Sequence, residues 1–486
     1  MTGELHEECG VFGIYDCDGL DAAKQTYMAL YALQHRGQES CGIAVNDDGV
    51  ITAHKDLGLI HDVFTEDVLN RMSGGQIAVG HVRYSTTGSS NRENAQPLVM
   101  KHNKGTLALA HNGNLVNAYK LRERLELDGA VFRSTNDTEV IAYIIVRKRL
   151  KTASIEQAVL EAMKELKGAY SLVLTSPRKL IAVRDPNGFR PLCMGRIGSS
   201  VMFSSESCAL DAIGAEFIRD VEPGEVIVVD DDGVRSIRDH CGKKTSLCIF
   251  EFIYFARPDS IIDGASVHLA RQRAGRFLAR QYPVKADIVV GVPDSGLDAA
   301  LGYSTESGIP YGFGFVKNRY VGRTFIQPTQ GERSTSVRIK LNALRSTVVG
   351  KRVVLIDDSI VRGTTSARIV DLLREAGAKE VHVRISSPPF LNPCYFGTDI
   401  DSREKLIACR LSVEEIREEI GADTLGYLKV ESLDKLAVGA KCGFCKGCFT
   451  GRYPMRVPED IPKDRFETKL SDGKWEILQS RARGQG

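Results

Sequence analysis

The chain has 486 residues, more than one ordinary hydrophobic core can serve, so two large domains are expected. Hydrophobic residues make up 43% and charged residues 26%, and Lys+Arg at 64 against Asp+Glu at 62 gives a net charge of +2, which leaves no global field for nucleic acid or an anionic membrane. No apolar run approaches the roughly 20 residues that cross a bilayer.

The first eight residues, MTGELHEE, are acidic and have no apolar stretch behind them, so they do not read as a secretory signal, and a cytoplasmic location is expected. Twelve cysteines are too widely spread for a disulfide framework in such a compartment, which turns attention to metal or catalytic roles.

Short strand patterns then alternate with turns: GVFGIYD, CGIAVNDDG, QIAVGHVRYST, LALAHNGNL, YSLVLTS, KLIAVRD, VMFSSE and EVIVVDDDG. Two helical patterns interrupt them. The first, 22–37, ends on Gly37 as an expected C-cap; the second, 136–152, opens with Asn136 and Asp137 where an N-cap belongs. Strand runs with a few helices predict an α+β domain of stacked sheets. Residues 235–250 are polar and weakly patterned, and the domain boundary is placed there, giving a first domain 9–240 and a second 241–486. Beyond it, a helix over 267–282, a buried-type strand ADIVVGV, a strand KRVVLIDD, a helix over 366–378 and a strand EVHVRISS predict a parallel α/β sheet.

VVLIDDSIVRGTTSARIV (353–370) is the most specific stretch. A buried strand delivers Asp357 and Asp358 to its carboxyl end, and Arg362, Gly363, Thr364, Thr365 and Ser366 open the following helix. Helix-start N–H groups with hydroxyls and a glycine form a phosphate cradle, and adjacent carboxylates suit ribose hydroxyls or hydrated Mg²⁺. An acidic turn before an ordinary N-cap is the bland alternative. The stretch resembles the phosphoribosylpyrophosphate (PRPP) motif of type I phosphoribosyltransferases. That resemblance implies a pyrophosphate loop at Asp294, Ser295 and Gly296, and one Mg²⁺ per subunit near Ser295, Asp357 and Asp358. It also implies a mobile loop 317–328 bringing Lys317, Arg319 and Arg323 to the leaving group, with Arg338 and Lys340 as weaker phosphate candidates.

A cysteine at position 9 is ordinarily a small buried hydrophobe. A nucleophile at a chain start, however, uses its own α-amine as base, which requires cleavage between Glu8 and Cys9. CGVFGIYD, LQHRGQES, GHVRYSTTG, NAQPL, AHNGNL and STNDTEV resemble, in order, the motifs of class II N-terminal-nucleophile glutamine amidotransferases, which have an αββα sandwich. The resemblance implies that 1–8 is a propeptide and Cys9 the nucleophile. Asn112 and Gly113 would form the oxyanion hole, with Arg83 on the glutamine carboxylate and Asp137 on its ammonium group. His35, His81 and His111 are read as structural or supporting groups rather than as a Cys–His dyad.

KCGFCKGCFTG spaces Cys442, Cys445 and Cys448 as CxxCxxC, a strong metal signal that does not separate zinc from iron–sulfur and supplies only three ligands. Together the two halves resemble the iron–sulfur, propeptide-bearing glutamine PRPP amidotransferases. That resemblance implies a [4Fe–4S] cluster on Cys248, Cys394, Cys445 and Cys448, with Cys442 outside the set. It further implies the first committed step of purine synthesis: PRPP, glutamine and water give 5-phosphoribosylamine, glutamate and pyrophosphate. Feedback by AMP- or GMP-type nucleotides and a homotetramer are implied as well. The rival readings are a non-catalytic PRPP-binding regulator and another class II amidotransferase, such as an amino-sugar synthase.

Overall fold

The computed structural model describes residues 9–84, 91–318, 341–398, 400 and 402–458. The first half holds two antiparallel sheets. The seven-stranded sheet runs Glu216–Asp220, Cys193–Ile197, Ser200–Ser204, Gly10–Tyr15, Ile77–Arg83, Ser40–Asp47, Val50–Leu57 in spatial order. The six-stranded sheet runs Gly233–Ile237, Val226–Asp230, Lys179–Arg184, Gly168–Ser176, Gly105–Leu115, Leu98–His102.

Alternation along the strands explains the layering. Val11, Tyr15, Val79, Ala110, Val173 and Ile227 point between the sheets and form one core. Phe12, Ile14, Ile43 and Val82 point the other way and pack under the helix Ala22–Ala32. On the far side Leu107, Leu109, Leu172 and Leu174 meet the helices Asp137–Arg149 and Ile155–Met163. The order is helix, sheet, sheet, helix, as the sequence resemblance implied.

The second half has a four-stranded parallel sheet, ordered Ile288–Gly291, Arg352–Asp357, Glu380–Ile385, Thr424–Tyr427. Its apolar strands are buried on both faces. Val289, Val354 and Ile356 pack against the helices Val267–Gln281 and Gly296–Ser307, while Val353, Leu355 and Val383 pack with Ile369, Val370 and Leu373 of the helix Thr364–Glu375.

Several local expectations change. The first helix stops at Ala32 and is followed by a 3₁₀ turn Gln34–Arg36; Gly37 is extended, at φ −156°, not left-handed. A Cβ on Gly37 would lie 2.6 Å from the backbone N of Arg83, so close approach of two chain segments, rather than a C-cap, explains the glycine. Asn136 does cap the helix Asp137–Arg149, accepting from Glu139 N. The helix after Gly363 begins at Thr364, two residues before the sequence expectation, and the helices Ala118–Leu127 and Ile155–Met163 had no counterpart in it.

Candidate active site

The strand Gly10–Tyr15 pairs with Ile77–Arg83 in the register Gly10↔Val82, which seats Cys9 beside Arg83 and Tyr84. The Cys9 thiol donates to Tyr84 O at 3.4 Å, and its carbonyl accepts from Arg36 Nε at 3.0 Å. Across the sandwich, His81 Nε2 lies 3.0 Å from His111 O, which ties the two sheets together where Asn112 and Gly113 follow. Asn112 is 1% exposed and, among the described residues, its Nδ2 has no acceptor: a buried donor left without a partner costs stability unless a ligand takes it. Gly113 has φ 135°, and a Cβ there would sit 2.2 Å from Ala169 O, so only glycine fits.

Asp137 opens its helix, where the N-terminal dipole favours a negative charge. Its Oδ2 accepts from Leu115 N at 2.8 Å and its Oδ1 lies 3.5 Å from His111 Nδ1. Arg83, 2% exposed, is 4.0 Å from Glu39. Cys9, Arg83, Asn112, Gly113 and Asp137 are thus gathered at one end of the sandwich. The histidines have other partners: His35 faces Glu206 at 2.8 Å, and His111 contacts Thr138 and Ala169. Burial pulls His81 down to about 3, so its ring is neutral.

Unanticipated from sequence is a buried chain of charges. Arg36 reaches Glu206 at 2.5 Å and forks onto Glu251 at 2.9 and 3.0 Å, and Arg190 also reaches Glu251 at 3.3 Å. Burial opposes the charge on Glu206, but His35 and Arg36 outweigh it and hold that carboxyl well below its usual range. No periodic pattern marks these residues; their partners lie up to 215 positions away.

In the second half, Asp357 ends its strand and Asp358 follows, beside the loop that leads into Gly296–Ser307. Ser295 Oγ donates to Asp358 Oδ1 at 2.6 Å. A Cβ on Gly296 would meet Ile356 O at 2.5 Å, so this glycine lets the helix start approach the end of the strand. Gly363 takes φ 88° at the N-cap of the helix, whose first-turn N–H groups at Thr364, Thr365 and Ser366 have no partner within the helix itself. Arg362 stands half-buried beside them. Burial raises the carboxyl of Asp358 above the ordinary range, and two carboxylates with a hydroxyl are the hard oxygen donors Mg²⁺ takes. Lys317 Nζ pairs with Asp294 at 2.5 Å, both side chains substantially exposed. Arg319, Arg323, Arg338, Lys340 and the stub 1–8 lie outside the described residues.

Cys248, Cys394, Cys445 and Cys448 line one cavity, walled by Phe250, Phe390, Tyr453 and Arg190. Parallel pairing sets Cys248 opposite Cys445, and Leu391 and Asn392 N–H both donate to Cys448 O at 3.0 Å. Phe396 N–H donates to Cys394 Sγ at 3.4 Å. Burial pushes the Cys445 thiol up to about 12 and Cys448 well above its ordinary value, so these thiols ionise only with a counter-charge such as a metal. Among the described residues no three His, Cys, Asp or Glu side chains are placed to share a single ion. Cys442 faces Asp263 instead and does not line the cavity.

The profile of the glutamine amidotransferase domain family matches residues 81–212, and that of the phosphoribosyl transferase domain family matches 265–386. The chain is 51% identical to an amidophosphoribosyltransferase of Bacillus subtilis over 94% of its own length and 96% of that relative's. It is 50% identical to one of Methanocaldococcus jannaschii, over 92% and 98%. The chain belongs to the amidophosphoribosyltransferase family. Its reaction is the first step of purine biosynthesis. Two solved structures are similar throughout. A glutamine PRPP amidotransferase from B. subtilis complexed with ADP and GMP has a TM-score of 0.86 at 50% identity, over 93% of this chain and 99% of that one. An allosteric regulatory enzyme of purine biosynthesis has a TM-score of 0.88 at 49% identity, over 96% and 100%. No helix among the described residues is long and apolar enough to cross a membrane.

Proposed function

We propose that this amidophosphoribosyltransferase makes ammonia at Cys9 and consumes it at the strand ends around Asp357 and Asp358. The observation that carries the reading is the unpartnered, buried Nδ2 of Asn112, on a strand of the sheet that faces the Cys9 strand across the sandwich. With residues 1–8 removed, the freed α-amine of Cys9 takes the thiol proton and sulfur attacks the glutamine side-chain amide. Oxygen gains charge as the carbon becomes tetrahedral, and Asn112 Nδ2 and Gly113 N–H stabilise it. Collapse expels ammonia and leaves a thioester, which water opens to glutamate. Arg83 and Asp137, of opposite sign and both buried, orient the two charged groups of glutamine.

In the second half, Arg362, Gly363, Thr364, Thr365 and Ser366 hold the 5-phosphate, and Asp357 and Asp358 hold the ribose diol. The loop of Asp294, Ser295 and Gly296 meets the pyrophosphate. There the backbone is the binding group, because the Asp294 carboxylate would repel the anion and is already paired with Lys317. Ammonia attacks ribose C1 as pyrophosphate leaves. The oxygen set of Ser295, Asp357 and Asp358 fits one Mg²⁺, which when bound neutralises pyrophosphate charge. Lys317, with Arg319 and Arg323, supplies further cations to the leaving group.

The four cavity cysteines fit a [4Fe–4S] cluster better than a single zinc: each thiolate would bind its own iron, so four sulfurs around a cavity need not converge on one ion. An all-thiol donor set, aromatic walls and the N–H aimed at Cys394 favour it. Purine nucleotides of AMP or GMP type as feedback inhibitors, a homotetramer and a reducing cytoplasm complete the reading; the relative crystallised with ADP and GMP supports the nucleotide part. The test is PRPP-dependent pyrophosphate release, driven once by glutamine and once by ammonia, with iron and sulfide analysis of anaerobically purified protein. Release with both nitrogen donors and about four irons per chain are expected; no pyrophosphate with either donor would overturn the reaction assignment.

A further inference from the structure

The segment 394–397 leaves the cysteine cavity and touches the glutaminase half at each of Tyr395, Phe396 and Gly397. Tyr395 O accepts from Asn114 Nδ2 at 2.9 Å, one residue past Gly113. Gly397 has φ 123°, and a Cβ there would stand 2.9 Å from Arg190 Nη2 and 3.4 Å from Gly113 Cα, so the segment lies directly on the proposed oxyanion glycine. The ring of Phe396 stacks on Phe189 at 4.2 Å, and Phe189 O accepts from Cys248 N.

A second route runs through charge. Phe396 O accepts from Arg190 Nε at 3.2 Å and Nη2 at 2.8 Å. Arg190 reaches Glu251, Glu251 holds the Arg36 fork, and Arg36 Nε donates to the Cys9 carbonyl at 3.0 Å. Arg36, Arg190 and Glu251 are all wholly buried, so water cannot replace a partner that moves, and their geometry is strongly determined. Both routes start one to three residues from Cys394, whose Sγ accepts from Phe396 N–H.

We propose that 394–397 is a strap through which the cysteine cavity positions the glutaminase site, with Asn114 and Arg190 as its positioning residues. A group bound to Cys394 fixes the strap; the strap fixes Gly113 and, through Arg190, Glu251 and Arg36, the carbonyl of Cys9. The cavity is therefore coupled to glutamine hydrolysis, and by linkage an occupied Cys9 tightens the hold on the iron. This rests on the reading of Cys9 as nucleophile.

The test follows iron release from the holoenzyme to a chelator, read as loss of visible absorbance, before and after Cys9 is alkylated by an electrophilic glutamine analogue. The alkylated enzyme is expected to release iron several-fold more slowly, and Asn114→Ala to remove that difference. At full iron content, Asn114→Ala is expected to lower glutamine-supported kcat about tenfold while the glutamine KM stays within about twofold. Ammonia-supported synthesis is expected to be unchanged. Arg190→Lys, which keeps the charge and loses the fork, is expected to behave likewise; if it fails to fold, Asn114→Ala decides. Equal iron release with and without the analogue, or parallel loss of glutamine- and ammonia-supported rates, would overturn the strap. A Cys9 that takes up no analogue would instead sink the nucleophile assignment, and the strap with it.

Discussion

The two halves build their sites in opposite ways. Around Cys9, the groups sit on paired strands and a helix start, and Cys9, Arg83, Asn112 and Asp137 are all at most 7% exposed. Around Asp358, the carboxylates and the Gly363 turn sit at the ends of parallel strands, and Lys317 and Asp294 keep 44% and 69% of their side chains exposed. The first site is organised before its substrate arrives, which suits the proposed thiol attack with its two fixed oxyanion donors. The second holds its carboxylates firmly but leaves Lys317 at the rim, which suits a large polyanion whose binding completes the site.

The sharpest way to break this contrast is Cys9→Ala. Glutamine-supported synthesis should fall by roughly 10⁴-fold or more, while ammonia-supported pyrophosphate release persists; loss of both would make Cys9 a folding residue shared by the halves. Asp358→Asn should act on the other side, lowering pyrophosphate release by about 10²–10³-fold with either nitrogen donor. A glutamine-only effect there would contradict the division.

Glu206 joins the halves, since His35 and Arg36 come from the first and the Arg257 N–H and Ser260 hydroxyl from the second. Its carboxyl is held low in the folded state, so its contribution is present above the unfolded value of about 4.5 and fades as pH falls below it. Glu206→Gln should cost about 2–4 kcal/mol at pH 7 by denaturant unfolding, a deficit that narrows as the pH is lowered below that value. A deficit independent of pH would mean the charge is not what binds the halves. The smallest effect belongs to the rim: Lys317→Ala should raise the PRPP KM about three- to tenfold, with glutamine KM unchanged.

What the sequence made readable follows from how local each signal is. The strand–Asp357–Asp358–Gly363 run is contiguous, and its geometry follows from the chain's own order. The αββα layering and the four-cysteine grouping came through resemblance, because the cysteines arrive from three segments and only Cys445 and Cys448 share one. Gly37 reads as a C-cap in the sequence because a glycine demanded by a neighbouring backbone looks, in one dimension, like one demanded by a helix end. Val50–Leu57 carries no clear strand signal, because none of the residues of this edge strand is buried and VITAHKDL lacks clean alternation. Ile155–Met163, by contrast, carried a readable signal: Ser154 caps it and its apolar residues recur at helical spacing. Arg36, Arg190, Glu206 and Glu251 had none, since a buried ion pair is indistinguishable in sequence from solvated charge until the fold brings its partners together.

The most direct measurement is the mass map of the purified enzyme after reaction with an electrophilic glutamine analogue. The account predicts a single adduct, on a peptide whose first residue is Cys9. An adduct on another cysteine, or on a glutamine-active chain that still begins at Met1, would contradict it.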